Sequence, residues 1–333
     1  MVISRTPFRI SFFGGGTDYP VWYRHNPGAA LATTIDKYCY ITCGFLPPFF
    51  ECKHRIVYSK WEMANKISEI QHPSVRETLR FLKIKGGISI QHVGDLPARS
   101  GMGSSSSFTV GLLNALYALK GKIVSKKQLA LEAIDIEQNW MKEHIGSQDQ
   151  VTVSFGGFNK MEFKGGRNNI EVTPVTVDQK KIRLFQNHLM LFFTGLSRTA
   201  SEIAEEQIKT IPQKKRELNR MYEMVQEAIN ILNEDRPSFT RFGKLLHENW
   251  EIKRTLSSKI TNTRIDEIYK TARRAGAIGG KILGAGGGGF ILFFVKPELQ
   301  HKVKAKLRQL LYVPFKFEEL GSQIIYYRPE SNF

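Results

Sequence analysis

The chain has 333 residues, of which 41% are hydrophobic and 24% charged, a composition that supplies a folded core and argues against disorder. The formal net charge of +17 favours anionic partners such as phosphorylated small molecules. The charge is dispersed, however, and lacks the interleaved aromatics of single-strand binders, so nucleic-acid binding is only a remote alternative. No apolar run is long enough to span a bilayer, no targeting segment is visible, and the three cysteines fit reduced thiols, so we expect a cytoplasmic protein without a membrane partner.

The first part of the chain mixes strands and helices. Alternating β-forming residues predict a strand at 3–13. One or two further strands are predicted at 31–45, a short one at 55–58 and another at 87–93. Helices are predicted at 73–82, 108–119 and 125–142, the first starting with proline and the last capped by serine. Further strands are predicted at 157–163 and 189–193.

The second part is richer in helices. Polar–apolar periodicity predicts helices at 200–233, 238–256 and 265–275. A glycine loop at 284–289 leads into a strand at 290–295, and another helix and one or two short strands follow. Because strands and helices do not alternate as a regular βαβ series, we predict an α+β fold with domains at 1–185 and 186–333.

The most informative motif spans residues 95–107, which read Asp-Leu-Pro-Ala-Arg-Ser-Gly-Met-Gly-Ser-Ser-Ser-Ser between a predicted strand and a predicted helix. Glycines allow close approach of the backbone, helix starts attract anions, and hydroxyls can donate to phosphate or ligate Mg²⁺. The segment lacks the lysine of a Walker A sequence and the spacing of a Rossmann fingerprint. A flexible linker is the alternative, but its position before an apolar helix favours a phosphate loop.

The second motif is the loop 284–289, which reads Gly-Ala-Gly-Gly-Gly-Gly. It contains G-x-G-x-x-G, but a strand follows it where a dinucleotide site requires a helix. Five glycines cost much backbone entropy, which favours close approach to a ligand, such as the transferring phosphate, over a simple tight turn.

Two charged residues occupy the N-terminal segment. Arg9 lies on an otherwise apolar strand, where a charge needs a partner. Asp18 follows three glycines at a strand end, where polar side chains often meet ligands. A structural ion pair for Arg9 and a turn cap for Asp18 are the alternatives.

Two more carboxylates are candidates for chemistry. Glu137 falls at or inside the apolar face of the helix predicted at 125–142, and an inward carboxylate with a hydroxyl and phosphates suits Mg²⁺. Asp149 lies in a segment that starts with glycine and could take the proton from an attacking hydroxyl. A buried polar network is the alternative for both.

The arginine-bearing strand, the Pro-x-x-x-Gly-Met-Gly-Ser-Ser motif and the later glycine loop, in that order, resemble the GHMP kinases over about residues 5–295. The resemblance implies a mixed-sheet N-terminal domain and a helix-rich α+β C-terminal domain with the active site between them. Further matching segments at 13–18, 58–60, 148–150, 194–198 and 279–290 are most similar to bacterial kinases of D-glycero-D-manno-heptose 7-phosphate.

Carried over by motif, the resemblance makes Asp149 the base, with Arg9 paired to it, and gives Mg²⁺ to Ser105 and Glu137. The four consecutive serines leave open which one meets the metal. Nucleotide contacts are implied for Pro97, Gly101, Gly103, Ser104, Ser105, Ser106, Ser59 and Lys60. Substrate contacts are implied for Gly15, Gly16, Thr17, Asp18, Arg198, Gly286 and Gly287. The candidates for binding a sugar phosphate group are Arg198, Lys60, Arg24 and Lys281.

The implied activity is ATP-dependent phosphorylation of the anomeric hydroxyl of heptose 7-phosphate, giving the 1,7-bisphosphate used to build nucleotide-activated heptose. The expected partners are the sugar phosphate and ATP, with Mg²⁺ as cofactor, in a monomer or homodimer. A fucokinase- or galactokinase-like activity is the alternative, and a preference for unphosphorylated sugars would favour it.

Overall fold

The computed structural model describes residues 1–166, 168–195 and 200–329. Its strands are β1 (Val2–Phe13), β2 (Gly28–Phe45), β3 (His54–Val57), β4 (Trp61–Ala64), β5 (Ile88–Gly94), β6 (Phe158–Phe163), β7 (Ile170–Pro174), β8 (Leu189–Phe193), β9 (Ala277–Ile282), β10 (Phe290–Val295), β11 (Leu311–Tyr312), β12 (Phe317–Glu318) and β13 (Gln323–Tyr327). Its α-helices are α1 (Pro20–Tyr23), α2 (Pro73–Phe81), α3 (Ser104–Leu119), α4 (Lys126–Asp135), α5 (Gln148–Phe155), α6 (Gln179–Gln186), α7 (Ala200–Thr210), α8 (Lys215–Asn233), α9 (Phe239–Lys253), α10 (Thr263–Arg274) and α11 (Gln300–Lys306).

The larger sheet is mixed and is built around the long strand β2. In the described residues its order is β13-β1-β2-β5-β3-β4, while β12 and β6 also pair with β2, and β7 pairs with β6. The β3–β5 pair is parallel, and the other pairs are antiparallel. Helix α3 packs across β1 and β2. It is apolar almost all round, which explains why most of its residues are buried.

The smaller sheet has the order β11-β8-β10-β9 and is antiparallel throughout. Its central strand β10 is fully buried, as its run of apolar residues predicts. Helix α9 packs on β9, and Gly243 and Gly279 allow the two backbones to meet: a Cβ on Gly279 would lie 2.0 Å from the Gly243 carbonyl oxygen.

A cluster of phenylalanines joins the two sheets. Phe12 of β1 lies edge-on to Phe185 and Phe242, with ring centroids 5.6 Å and 5.9 Å apart. Phe242 in turn contacts Phe294 of the smaller sheet at 5.6 Å. Such aromatic contacts add to the burial of apolar area, so the end of β1 is fixed between the two sheets.

The predicted elements are confirmed, with differences at two helices. The helix predicted at 125–142 is α4 followed by one π-helical turn at Ile136–Trp140, which contains Glu137. The helix predicted at 200–233 is interrupted by a short 3₁₀ turn at Ile211–Gln213, because Pro212 lacks the N–H that a continuous helix needs. The sequence patterns did not predict the short elements α1, β4, α5, β7 and α6, and the one or two short strands expected at the end of the chain are three among the described residues, β11, β12 and β13.

The strands at the end of the chain rejoin the larger sheet. β12 pairs with β2 and β13 pairs with β1, although the division predicted from sequence placed both in 186–333. The sheets therefore do not follow that division at the C-terminal end, and the boundary near residue 185 stays a prediction. Within the described ranges, none of the helices combines the length and apolar character needed to cross a membrane.

Candidate active site

One cleft brings together most of the residues singled out from the sequence. The end of β1, the glycine turn after it, the loop before α3 and the start of α5 form its walls, and α9 and β9 close it from the second half of the chain. The predicted residues that line it are Arg9, Gly15, Gly16, Asp18, Gly101, Gly103, Ser104, Ser105, Ser106, Asp149 and, among the candidates for binding a sugar phosphate, Lys281.

At the centre of the cleft, Arg9 and Asp149 form a two-pronged ion pair. Arg9 Nε donates to Asp149 Oδ1 at 2.7 Å, and Nη2 donates to Oδ2 at 2.6 Å. The remaining nitrogen, Nη1, donates to the Gly101 carbonyl at 2.7 Å. Arg9 is 3% exposed and Asp149 24%, so the carboxylate faces the cleft while the guanidinium holds it from behind. The charge on the apolar strand thus has the partner that it required.

The loop at residues 95–103 before α3, the predicted phosphate loop, is held by backbone contacts with the second glycine loop at residues 284–289. Phe290 N donates to the Ser100 carbonyl at 3.1 Å. Gly101 and Gly284 both have positive φ, and a Cβ on Gly101 would lie 2.4 Å from the Leu283 carbonyl oxygen. The glycines of the second loop therefore permit close packing against the phosphate loop, as well as lining the cleft at Gly284.

Glu137 lies fully buried beneath the phosphate loop. Its carboxylate accepts hydrogen bonds from Ser105 at 2.8 Å, Ser106 at 2.9 Å and Thr109 at 3.1 Å, and from the Gln150 side-chain amide. Burial raises the pKa of Glu137, and these donors act in the opposite direction.

The oxygen atoms at and around Glu137 fit Mg²⁺, which prefers oxygen ligands. The Ser105 hydroxyl and the Glu137 carboxylate are adjacent, and the buried Gln150 Oε1 has no hydrogen-bond partner among the described residues. Of the four serines, Ser105 is the exposed one. Ser106 is buried, and the Ser107 hydroxyl donates to the Pro7 carbonyl. The exposure of Ser105 therefore favours it as the serine that would contact a metal.

Asp18 is buried in the turn after β1. Its carboxylate accepts from Gly16 N at 2.9 Å and Gln148 N at 3.3 Å, so it joins the glycine turn to the start of α5. Burial raises its pKa, with the two backbone donors acting against it. A Cβ on Gly146 would lie 1.9 Å from Asp18 Oδ2, which is why the segment before Asp149 starts with glycine.

Several predicted residues lie outside the cleft. Pro97, Ser59 and Lys60 are exposed, the last two in the turn between β3 and β4, and Arg24 is exposed beyond α1. Arg198 lies outside the described residues. The binding roles assigned to these residues stay predictions.

Three other predicted residues shape loops. The buried Thr17 hydroxyl donates to the carbonyls of Gly14 and Ala29 at 2.8 Å and 2.9 Å and accepts from Ala29 N. Gly287 N donates to the Ile260 carbonyl at 2.8 Å, and Gly286 packs on the same residue. The Thr17 hydroxyl and the Gly287 N–H are thus engaged within the protein, and the substrate contacts assigned to Thr17, Gly286 and Gly287 stay predictions.

The sequence patterns missed Lys253, which lines the cleft beside Lys281. Lys253 follows Trp250 by three positions and Leu246 by seven, and it is 5% exposed. The position of a lysine on the apolar face of a helix is therefore the signal from which the sequence could have identified Lys253. Ser11 and Gln148, which hydrogen-bond to each other at 2.7 Å, also line the cleft without having been singled out.

Comparisons with known proteins agree with this fold and cleft. The model for the GHMP kinases N terminal domain matches residues 65–157, and the model for the GHMP kinases C terminal region matches residues 227–313. Together they cover more than half of the chain.

Individual proteins extend the match to nearly the whole chain. The D-glycero-alpha-D-manno-heptose 7-phosphate kinase of Campylobacter jejuni is 29% identical, over 96% of this chain and 97% of its own length. The bifunctional fucokinase/GDP-fucose pyrophosphorylase of Arabidopsis thaliana is 23% identical over 92% of this chain, which corresponds to 30% of that longer protein. A solved D-glycero-D-manno-heptose 1-phosphate kinase from Bacteroides thetaiotaomicron has the same fold, with a TM-score of 0.79, 22% identity and coverage of 98% of this chain and 100% of the other.

The fold and the comparisons define a phosphotransferase that acts on a hydroxyl acceptor. The chain belongs to the GHMP kinases, and its homologues support a sugar kinase within that family.

Proposed function

We propose that this enzyme transfers the γ-phosphoryl group of ATP to the anomeric hydroxyl of D-glycero-D-manno-heptose 7-phosphate, giving the 1,7-bisphosphate and ADP. The observation that supports the chemistry is the Asp149 carboxylate, fixed by Arg9 and facing the cleft beside the phosphate loop. The full-length similarity to a heptose 7-phosphate kinase supports the choice of substrate.

In the proposed step, the sugar hydroxyl gives its proton to Asp149 as its oxygen forms a bond to the γ-phosphorus. The bond between that phosphorus and the bridging oxygen of ADP breaks, and ADP leaves with the bonding electrons. Phosphoryl transfer needs mainly positioning and charge neutralisation. An anomeric hydroxyl is more acidic than an ordinary alcohol, so a carboxylate suffices as base.

The remaining cleft residues have binding roles in this proposal. Gly101, Gly103 and the start of α3 offer backbone N–H groups to the phosphates, as helix N-termini do for anions. Ser105 and Glu137 would hold Mg²⁺, which neutralises phosphate charge when bound. Asp18, with Gly15 and Gly16, would contact the sugar hydroxyls. We also retain the proposals of a cytoplasmic protein, monomeric or homodimeric, that acts without nucleic acid.

The two similar heptose kinases are named for different substrates, a heptose 7-phosphate in one case and a heptose 1-phosphate in the other. A coupled ADP-release assay over heptose, heptose 1-phosphate, heptose 7-phosphate, fucose and galactose, followed by ³¹P NMR of the products, separates these possibilities. The proposal expects the highest kcat/KM with heptose 7-phosphate and a new phosphate on the anomeric oxygen. A higher kcat/KM with any of the other sugars would reject it.

A further inference from the structure

Two lysines in the cleft have no role in the mechanism above. Lys253, the last residue of α9, and Lys281, on β9, are 5% and 2% exposed and line the same cleft as Asp18 and Asp149. Long cationic side chains are rarely buried unless paired, because leaving water costs a charge several kcal/mol. Their burial therefore requires an explanation.

Neither ammonium group has an ionic partner within the described part of the chain. Lys253 Nζ donates to the Gly284 carbonyl at 2.5 Å, and Lys281 Nζ donates to the Phe12 carbonyl at 2.9 Å. No described carboxylate lies within 4.0 Å of either nitrogen, and no other hydrogen bond involves them there. Each ammonium has three donors, so two on each lysine are left for another group.

The surrounding charges do not balance the two lysines. Asp149 is engaged by Arg9, and Asp18 accepts from backbone N–H groups. Burial, and then repulsion by Arg9, lower the pKa of Lys253 to about 8. Burial, and then repulsion by Lys253, lower the pKa of Lys281 well below its usual range. Three basic side chains thus face two carboxylates that have other partners, and a bound anion would offset the repulsion between their charged forms.

We propose that Lys253 and Lys281 form a subsite for a phosphoryl group, and that this group is the phosphate monoester carried by the sugar substrate. The assignment to the sugar rests on the proposed function and on position. Both lysines line the cleft together with Asp18, Gly15 and Gly16, the residues proposed to contact the sugar. Lys281 Nζ donates to the carbonyl of Phe12, which lies directly before the glycine turn that holds Asp18. The nucleotide phosphates have a separate anion site at the start of α3.

Kinetics of Lys253→Met and Lys281→Met test the subsite. Methionine fills a similar volume without charge, and Lys244→Met, an exposed position on the same helix, is the matched control. Loss of a charged hydrogen-bond donor predicts a roughly 10- to 100-fold rise in KM for the sugar phosphate. We expect unchanged KM values for ATP and for the unphosphorylated sugar, and wild-type behaviour from the control. An equal rise in KM for the phosphorylated and unphosphorylated sugars would overturn the inference while leaving the proposed function intact.

Inorganic phosphate provides a test that does not depend on turnover of any sugar. Calorimetric titration should detect phosphate binding to the wild-type protein, and each lysine variant should weaken it roughly 10- to 100-fold. Phosphate should inhibit competitively against the sugar phosphate and not against ATP. Binding that the variants leave unchanged, or competition with ATP alone, would overturn the inference even if the substrate panel supports the heptose phosphate.

Thermal melting distinguishes a binding role from a structural one. Replacing a lysine that stabilises the fold should lower the melting temperature, whereas removing an unpaired buried charge should leave the melting temperature unchanged or raise it. We expect the variants to melt no lower than the wild type and to lose the stabilisation that added phosphate gives the wild type. Lower melting with unchanged phosphate stabilisation would contradict the proposal.

Discussion

Replacement of Asp149 by asparagine tests the proposed base directly. Asparagine keeps the shape of the side chain, but its amide has little tendency to accept a proton and turns an N–H₂ group toward the guanidinium of Arg9. General base catalysis contributes about 10²- to 10⁴-fold in rate, which corresponds to about 3–5 kcal/mol of activation free energy. We therefore expect kcat to fall by about two to four orders of magnitude.

The same substitution costs some stability. One of the two hydrogen bonds from Arg9 to Asp149 is lost, and a hydrogen bond to a charged group contributes about 1.5–3 kcal/mol. Because Asp149 is 24% exposed, solvent screening reduces this value, and we expect a loss of about 1–2 kcal/mol in the free energy of unfolding. A domain of ordinary stability tolerates that loss, so the variant should remain folded.

The assay is coupled ADP release under saturating substrates, with nucleotide affinity measured separately by titration. Asp235→Asn, which alters an exposed carboxylate, is the control for a generic effect of the exchange. A folded Asp149→Asn enzyme with kcat within about tenfold of wild type would refute the assignment of Asp149 as base. A fall in melting temperature without a fall in kcat would show that the ion pair with Arg9 is structural.

Three further substitutions or conditions give measurable outcomes. Glu137→Gln places an amide N–H₂ group among four hydrogen-bond donors. Denaturant titration should show a loss of about 1–3 kcal/mol in the free energy of unfolding. Kinetics should show a higher KM for the Mg²⁺–nucleotide complex. Gly289→Ala would bring a Cβ to 2.1 Å from the Ser100 carbonyl oxygen at a φ of +85°, so kcat and melting temperature should both fall, whereas Gly166→Ala, with open space around its Cβ, should change neither. The pKa of Lys253 is about 8 in the folded protein and 10.5 in a free peptide. Between these pH values the unfolded chain binds more protons than the folded protein does. The free energy of unfolding should therefore rise with pH across this range, by about 3 kcal/mol in all. Lys253→Met should reduce that rise when the free energy of unfolding is measured against pH. An unchanged slope of free energy against pH would contradict the lowered pKa of Lys253.

Local sequence patterns were sufficient for most of the secondary structure and for the glycine–serine loop between β5 and α3, because both depend on residues close together in the chain. Alternation identified β1, a continuous apolar run after the glycine loop identified β10, and the proline at 73 marked the start of α2. The interruption of 200–233 was also encoded locally, by Pro212, but the helical periodicity on either side obscured it.

Features that depend on distant parts of the chain needed either the family resemblance or the structure. Arg9 and Asp149 are 140 positions apart, and the strand pattern established only that Arg9 required a partner. The return of β12 and β13 to the larger sheet has no local signature, since short strands are assigned to a sheet by their pairing partners. Lys253 could have been noticed on its apolar helical face, but its approach to Lys281 follows from the packing of α9 on β9.

The two loops that the sequence marked by their glycines function as one structural unit. Leu283 and Phe290 flank the second loop, and both contact the phosphate loop through backbone atoms at Ser100 and Gly101. The same second loop accepts the hydrogen bond from Lys253 at Gly284, while Gly101 accepts the one from Arg9. The position of the phosphate loop is therefore coupled to Arg9 and, through the second loop, to Lys253. Since backbone contacts at glycines leave no side chain to adjust, small displacements of α9 would be transmitted to the phosphate loop.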